Sequence, residues 1–338
     1  MTAHDQNDLI RFLPKVYYYA MKKHTTLVFA AAFIALLVVA SPAQTAEEVI
    51  RVDTELTAFE ATVTDKNGRP IRNLSAKDFR IFENGIERKI DFFQPIKKES
   101  EGRPLSVVFA LDVSGSMTSE ELEKLRTALQ NFTNRLADYN SFFAIMTFAM
   151  EVKTLQSFTN RPDKLEKSFT KLLRDQNGLS THAYDAVDEA IRLLEKKSPK
   201  ILKGRFPKRA VILVTDGFPV GDIVSPGTVI ERANRGETSV YSVLLPSYSR
   251  LLGSQKPLLT PLEASGLVEK TGGKNFYATD KSFEPLFTAL AEEITASYAL
   301  AFYPSEENRK DGKLHEVRIE SRSGHVVKQN RPGYKLDQ

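Results

Sequence analysis

Apolar and polar positions divide the chain into a β-rich beginning, a long alternating middle and a β-rich end. In the middle, short apolar runs typical of strands buried on both faces span residues 105–111, 142–148, 152–158, 210–215, 239–245 and 274–277. Between these runs, apolar residues recur every three or four positions, as they do on the buried face of a helix. The alternation predicts an α/β fold: a doubly wound, mostly parallel sheet with helices on both faces.

The two flanks contain shorter runs of alternating polarity separated by turn residues. Asn84-Gly85 lies between the runs 78–82 and 86–93, and Asn-Gly is the strongest short-range signal for a hairpin. Lone hairpins are marginally stable in water, so we expect both flanks to form one small all-β unit. The predicted organisation is a leader at 1–46, a β-rich flank at 49–98, the α/β domain at 104–297 and a second β-rich flank at 298–336.

The leader has the pattern of a secretory signal. Lys22-Lys23 precede an uninterrupted apolar run at 27–40, and small residues then allow cleavage after Ala43. The run is shorter than the roughly 20 residues that a spanning helix needs, so we expect cleavage and no stable membrane span afterwards. An uncleaved anchor is the alternative. Met21 directly precedes the lysines, so both Met1 and Met21 stay open as the start.

Charge and cysteine usage exclude several classes of protein. The chain has 47 Lys and Arg against 43 Asp and Glu, a formal net charge of +4. The leader holds four of the basic and two of the acidic residues, which leaves the remainder close to neutral, without a basic block. We therefore expect no nucleic-acid partner. The absence of cysteine excludes disulfides and thiol chemistry, and an exported chain of this kind fits a bacterial periplasm or exterior.

Oxygen-bearing side chains follow two of the predicted strands. Asp112, Ser114 and Ser116 come after the run at 105–111, and Asp216 comes after the run at 210–215. In open α/β sheets, ligands bind at the carboxyl ends of the strands. Carboxylates and hydroxyls are hard donors, which suit Mg²⁺, Ca²⁺ or Mn²⁺ better than zinc. The pattern therefore predicts a divalent-cation site.

These residues resemble the metal-ion-dependent adhesion site of von Willebrand factor type A domains. The resemblance rests on three pieces in order: the Asp-x-Ser-x-Ser loop, a Thr on a second loop and an Asp on a third. It implies that one Mg²⁺, or Mn²⁺ or Ca²⁺, is held by Asp112, Ser114, Ser116, Thr181 and Asp216. It further implies that Asp216 acts through a water and that an Asp or Glu of a partner protein fills the open position.

The resemblance extends to both flanks. Residues 64–70 with 78–85, and residues 298–304 with 331–334, resemble the entry and exit segments of the VWFA-related Acidobacterial domain family. Members of that family are exported bacterial proteins. They commonly have Gly-Gly-Thr where this chain has Leu179-Ser180-Thr181, so the loop that carries the threonine is bulkier here.

Enzyme signatures are absent from the sequence. It contains neither the Gly-x-Ser-x-Gly elbow of serine hydrolases nor a phosphate-binding loop. Outside the leader, the histidines are His182, His315 and His325. His182 is interpreted as a helix-start residue, and Asp185 and Asp222 as solvated surface.

The expected function is an exported, noncatalytic protein-binding module, periplasmic or secreted. Its adhesion site would capture an acidic residue of a partner protein. The alternative is a structural or assembly subunit of the cell envelope, in which the metal site only stabilises the fold.

Overall fold

The structure is a computed structural model that describes residues 56–97, 103–115, 118–172, 180–200, 205–245, 259–278 and 283–336. Ser116 and the whole leader, with its signal and the alternative start at Met21, lie outside the described residues. Within the described ranges, no helix combines the length and the apolar content that a membrane crossing requires.

Strands and helices follow one another along the chain as the polarity pattern predicts. The strands are β1 (Thr57–Thr64), β2 (Phe79–Glu83), β3 (Ile86–Arg88), β4 (Phe92–Pro95), β5 (Leu105–Asp112), β6 (Phe142–Phe148), β7 (Val152–Thr159), β8 (Lys208–Thr215), β9 (Thr238–Leu244), β10 (Asn275–Tyr277), β11 (Ser297–Phe302), β12 (His315–Ser321), β13 (Val326–Gln329) and β14 (Gly333–Tyr334). The helices are α1 (Ser119–Arg135), α2 (Pro162–Phe169), α3 (Ala183–Lys197), α4 (Pro226–Arg235), α5 (Pro261–Ser265), α6 (Leu267–Lys270), α7 (Glu284–Thr295) and α8 (Glu306–Lys310).

A six-stranded sheet in the order β10-β9-β8-β5-β6-β7 confirms the predicted α/β fold. Its neighbouring strands are parallel, except that β7 runs antiparallel to β6 at one edge. The exception has a simple cause, because only the turn at 149–151 joins these two strands. A parallel connection needs a crossover of a dozen or more residues.

Side chains of β5 alternate between two apolar cores, one on each face of the sheet. Phe109 points into the core that includes α1 and α7, and its ring centroid lies 5.7 Å from that of Phe132. Val108 and Ala110 point into the opposite core, which includes α3 and α4. Because both faces are covered, the strand is apolar apart from Ser106 until it ends at Asp112 of the candidate site.

Two helix starts agree with the sequence. Thr118 and Glu121 have the Thr-x-x-Glu spacing of a capping box and form one at the start of α1, in which each side chain accepts a hydrogen bond from the other residue's backbone N–H (3.2 and 2.7 Å). His182 is the N-cap residue of α3, as interpreted from the sequence.

The flanks form two four-stranded antiparallel sheets, in the orders β13-β1-β11-β4 and β14-β12-β2-β3. Each sheet combines strands from both flanks; β1, for example, pairs with β11 from Thr57 opposite Phe302. Phe79 of one sheet packs on Tyr298 of the other, with 5.3 Å between ring centroids. The run predicted at 86–93 is split, because the chain passes between β3 and β4 from one sheet to the other.

Candidate metal centre

Asp112 is the last residue of β5 and is fully buried in the middle of the central sheet. Its Oδ2 accepts a hydrogen bond from the Thr215 hydroxyl on the adjacent strand β8 (2.9 Å). Its Oδ1 accepts one from the backbone N–H of Ser114 (2.9 Å). These two bonds fix the carboxylate at the carboxyl edge of the sheet, as the sequence predicts.

Thr181 and Ser114 come together beside this carboxylate, although 67 positions separate them in the chain. The Thr181 hydroxyl donates to Ser114 Oγ at 3.3 Å. Thr181 is held by two backbone hydrogen bonds with Val220, of 3.1 and 3.0 Å. The neighbouring His182 N–H donates to the carbonyl of Ala149 (3.2 Å), which ties the same loop to the turn after β6.

Asp216 directly follows β8 and lies in a tight turn. Its Oδ1 accepts a hydrogen bond from the backbone N–H of Phe218 at 3.0 Å. Gly217 has φ +82°, and a Cβ placed there would lie 2.7 Å from the Thr260 hydroxyl. The turn therefore requires glycine, both for its backbone conformation and for the close approach of Thr260.

The two carboxylates share an unfavourable electrostatic environment. Burial raises the pKa of Asp112, and the nearby charge of Asp216 raises it further. Burial likewise raises the pKa of Asp216. A divalent cation close to both carboxylates would favour their ionised forms, because it would bring positive charge to two buried acids.

The donor set fits a small, hard cation. Two carboxylates and the hydroxyls of Ser114 and Thr181 offer only oxygen, the element that Mg²⁺, Ca²⁺ and Mn²⁺ prefer. No group of three or more His, Cys, Asp or Glu side chains with metal-binding geometry occurs among the described residues. The resemblance implies that hydroxyls complete the ligand set.

Sequence reasoning missed the structural roles of Thr215 and Asp185. Thr215 was expected only to end its strand, but its hydroxyl orients Asp112. Asp185 was interpreted as solvated surface, yet its carboxylate accepts the backbone N–H groups of Ile223 and Val224 at 3.1 and 2.8 Å. Asp216 was recognisable because it directly follows the apolar run at 210–215, whereas these longer-range contacts left no local signal.

A family model described as von Willebrand factor type A domain matches residues 106–256. Residues 106–256 belong to the von Willebrand factor type A family. Such domains are typically noncatalytic protein-interaction modules that bind divalent metals at the adhesion site. The match concerns the type A domain alone, so membership of the VWFA-related Acidobacterial family stays a prediction.

Two curated relatives are similar over part of the chain. The inter-alpha-trypsin inhibitor heavy chain H4 of Bos taurus is 28% identical over 177 residues, which cover 50% of this chain and 18% of the relative. That of Sus scrofa is 27% identical over 143 residues, or 41% of this chain and 15% of the relative. This chain thus spans less than a fifth of the length of either relative.

Solved type A structures are also similar. An aerotolerance-related membrane protein from Bacteroides fragilis is 17% identical, with a TM-score of 0.43, covering 56% of this chain and 98% of that one. The vWF domain of the type V pili tip protein Mfa5 from Porphyromonas gingivalis is 12% identical, with a TM-score of 0.43, covering 57% and 95%. Proximal thread matrix protein 1 from the mussel byssus, with a zinc-occupied adhesion motif, is 14% identical, with a TM-score of 0.46, covering 59% and 47%. The zinc is a property of the mussel protein.

Proposed function

We propose that this chain is an exported, noncatalytic protein-binding module that captures an acidic residue of a partner protein through a divalent cation. The cation ligands would be Asp112, Ser114, Ser116, Thr181 and Asp216. The observation that supports this most is the approach of the Ser114 and Thr181 hydroxyls to one another beside the buried Asp112 carboxylate. Ser116 belongs to the proposal on its position in the Asp-x-Ser-x-Ser loop.

The chemistry of these ligands favours an additional carboxylate. Serine and threonine hydroxyls are neutral, and Asp112 would be the only carboxylate bonded directly, with Asp216 acting through a water. A Mg²⁺ would then keep about one net positive charge, and it retains exchangeable waters readily. A Glu or Asp of a partner could replace one of these waters and neutralise the remaining charge. In this proposal, no residue of the site makes or breaks a covalent bond.

Affinity capture tests this function. The mature chain would be immobilised and exposed to a cell-envelope extract in millimolar Mg²⁺, then washed with a chelator. We expect at least one protein to be retained in Mg²⁺ and released by the chelator. Asp112→Ala should retain none, whereas Asp138→Ala, which changes an exposed acid far from the site, should behave as the wild type. Metal-dependent retention by Asp112→Ala would contradict the proposal.

A structural or assembly subunit is the second candidate. The raised pKa values of Asp112 and Asp216 favour it, since a cation that relieves both acids would stabilise the fold without any partner. In that case the metal would raise the melting temperature, yet nothing would be retained in a metal-dependent way.

Export is proposed from the leader alone. N-terminal sequencing or intact-mass measurement of the native protein should find a start at or near Gln44. Finding residues 27–40 in the mature form would contradict cleavage and support an uncleaved anchor.

A further inference from the structure

Exposed apolar side chains are concentrated around the candidate metal centre. The described part of the chain has nine large apolar side chains that are exposed, and five of them lie at the carboxyl edge of the central sheet. These five are Met150, Val220, Ile223, Leu259 and Tyr277. They come from four separate segments, so the concentration does not follow from one apolar stretch of sequence.

Three of these segments directly adjoin candidate ligands. Val220 pairs through its backbone with Thr181. Met150 follows Ala149, whose carbonyl accepts the N–H of the residue after Thr181. Leu259 precedes Thr260, which packs against the glycine that follows Asp216. We call Met150, Val220, Ile223 and Leu259 the apolar rim.

The loop between β8 and α4, which carries two rim residues, is held firmly in place. Asp185 accepts the N–H of Ile223 (3.1 Å), and Asp222 accepts the N–H of Asp185 (2.9 Å). Ser180 Oγ donates to the Val220 carbonyl (2.5 Å). Gly221 has φ +90°, and a Cβ there would lie 2.5 Å from Ser180 Oγ, so the two loops pack closely.

This arrangement keeps Ile223 in solvent at a fixed position. Its exposed fraction is 88%, although its backbone is bound on the side facing α3. An apolar side chain presented on a rigid loop loses little conformational freedom when a partner covers it. Clusters of exposed apolar side chains on soluble proteins are commonly sites of interaction with another molecule.

We propose that the apolar rim binds apolar side chains that flank the partner's acidic residue. The inference rests on the proposed function and specifies its partner: a segment with one Asp or Glu and an aliphatic or aromatic residue close to it in sequence. The cation would bind the partner's acidic residue, and the apolar rim would bind the residues next to it in sequence. Contact with the rim also excludes water from the cation, which strengthens its attraction to the carboxylate.

A library of random linear peptides displayed on phage tests the proposal. The mature chain would be immobilised in Mg²⁺, and bound phage would be eluted with EDTA. We expect the eluted peptides to share an Asp or Glu with an apolar residue nearby. Synthetic peptides of the selected sequence should bind Ile223→Ser about tenfold more weakly. Ile223→Leu should restore binding.

Val326→Ser is the matched control, because Val326 is an exposed aliphatic residue on β13, in the β-rich flanks. It should bind the selected peptides as the wild type does. Both serine variants should show the wild-type rise in melting temperature with Mg²⁺, since neither touches a candidate ligand.

The outcomes separate the two proposals. Acidic peptides without an apolar preference would overturn the inference and leave the proposed function intact. If EDTA elutes no acidic peptides, both fail. Self-association of the chain that Ile223→Ser abolishes would show that the rim is covered by a second copy, and would also overturn the inference.

Discussion

The Lys208 ammonium donates a hydrogen bond to Ser297 Oγ at 2.8 Å, which joins the first residue of β8 to the first residue of β11. The bond therefore connects the central type A sheet to a sheet of the β-rich flanks. Glu60 lies beside it, with its Oε2 at 3.8 Å from Lys208 Nζ, and forms an ion pair with Arg103. All three charged residues are buried, so a compact ionic cluster fixes this junction.

Glu60→Gln should destabilise the fold strongly, because it leaves two buried cations without a carboxylate. Removal of one partner from a buried ion pair typically costs about 3–5 kcal/mol of unfolding free energy. Urea unfolding at neutral pH would measure the loss. Glu87→Gln is the control: Glu87 pairs with Arg80 on the surface, and its loss should move the midpoint little. Equal shifts for the two variants would contradict a special role for the cluster.

Stability at acidic pH should also depend on Glu60. Burial opposes its ionised form, but Arg103 and Lys208 outweigh that effect and lower the pKa of Glu60 below its usual 4.5. Since the folded state favours the ionised carboxylate, this stabilisation is present above the unfolded pKa. It is lost as the pH falls through the lower, folded value. Urea midpoints measured from pH 7 to pH 3 should therefore fall less for Glu60→Gln than for the wild type. Parallel curves would refute this linkage.

Features that depend on residues close together in the chain, or on a repeating pattern of apolar residues, could be predicted from the sequence. The capping box at Thr118 and Glu121 involves four consecutive residues, and Asp112 and Asp216 were predicted together because both follow buried strands. A shared core for the two flanks was also expected. The polarity pattern does not show which strands pair. Glu60 lies in an alternating run, which indicates a strand with two different faces but does not identify Lys208 as the residue that packs against one of them.

Loss of the C-terminal flank should destroy the fold of the N-terminal one. β11 lies between β1 and β4, so a chain that ends at Ser297 would split this sheet. Phe79 and Ile81, both buried in the common core, would then be exposed to water. We expect such a chain to aggregate, as light scattering or size-exclusion chromatography would detect. A truncated chain with the full protein's solubility and melting temperature would disprove the shared core.

Metal binding should stabilise the folded protein. A ligand that binds only the folded state at a hundredfold excess over Kd adds about 2.7 kcal/mol. Millimolar Mg²⁺ or Mn²⁺ should thus raise the melting temperature by a few degrees, measured by differential scanning fluorimetry. Ser114→Ala, Ser116→Ala and Thr181→Ala should reduce the rise, because each removes a hydroxyl ligand. Asp216→Ala should also reduce it, through the lost water contact.

Asp112→Ala should abolish the rise, since it removes the only carboxylate that would bond the cation directly. It also leaves the Thr215 hydroxyl without its acceptor, so Asp112→Asn is the better matched change: it keeps an oxygen for Thr215 and removes only the charge. Each of these two variants should have the same melting temperature in Mg²⁺ as in EDTA, whereas Asp138→Ala should keep the wild-type rise. A full rise in Asp112→Asn would place the cation somewhere other than at this edge of the sheet.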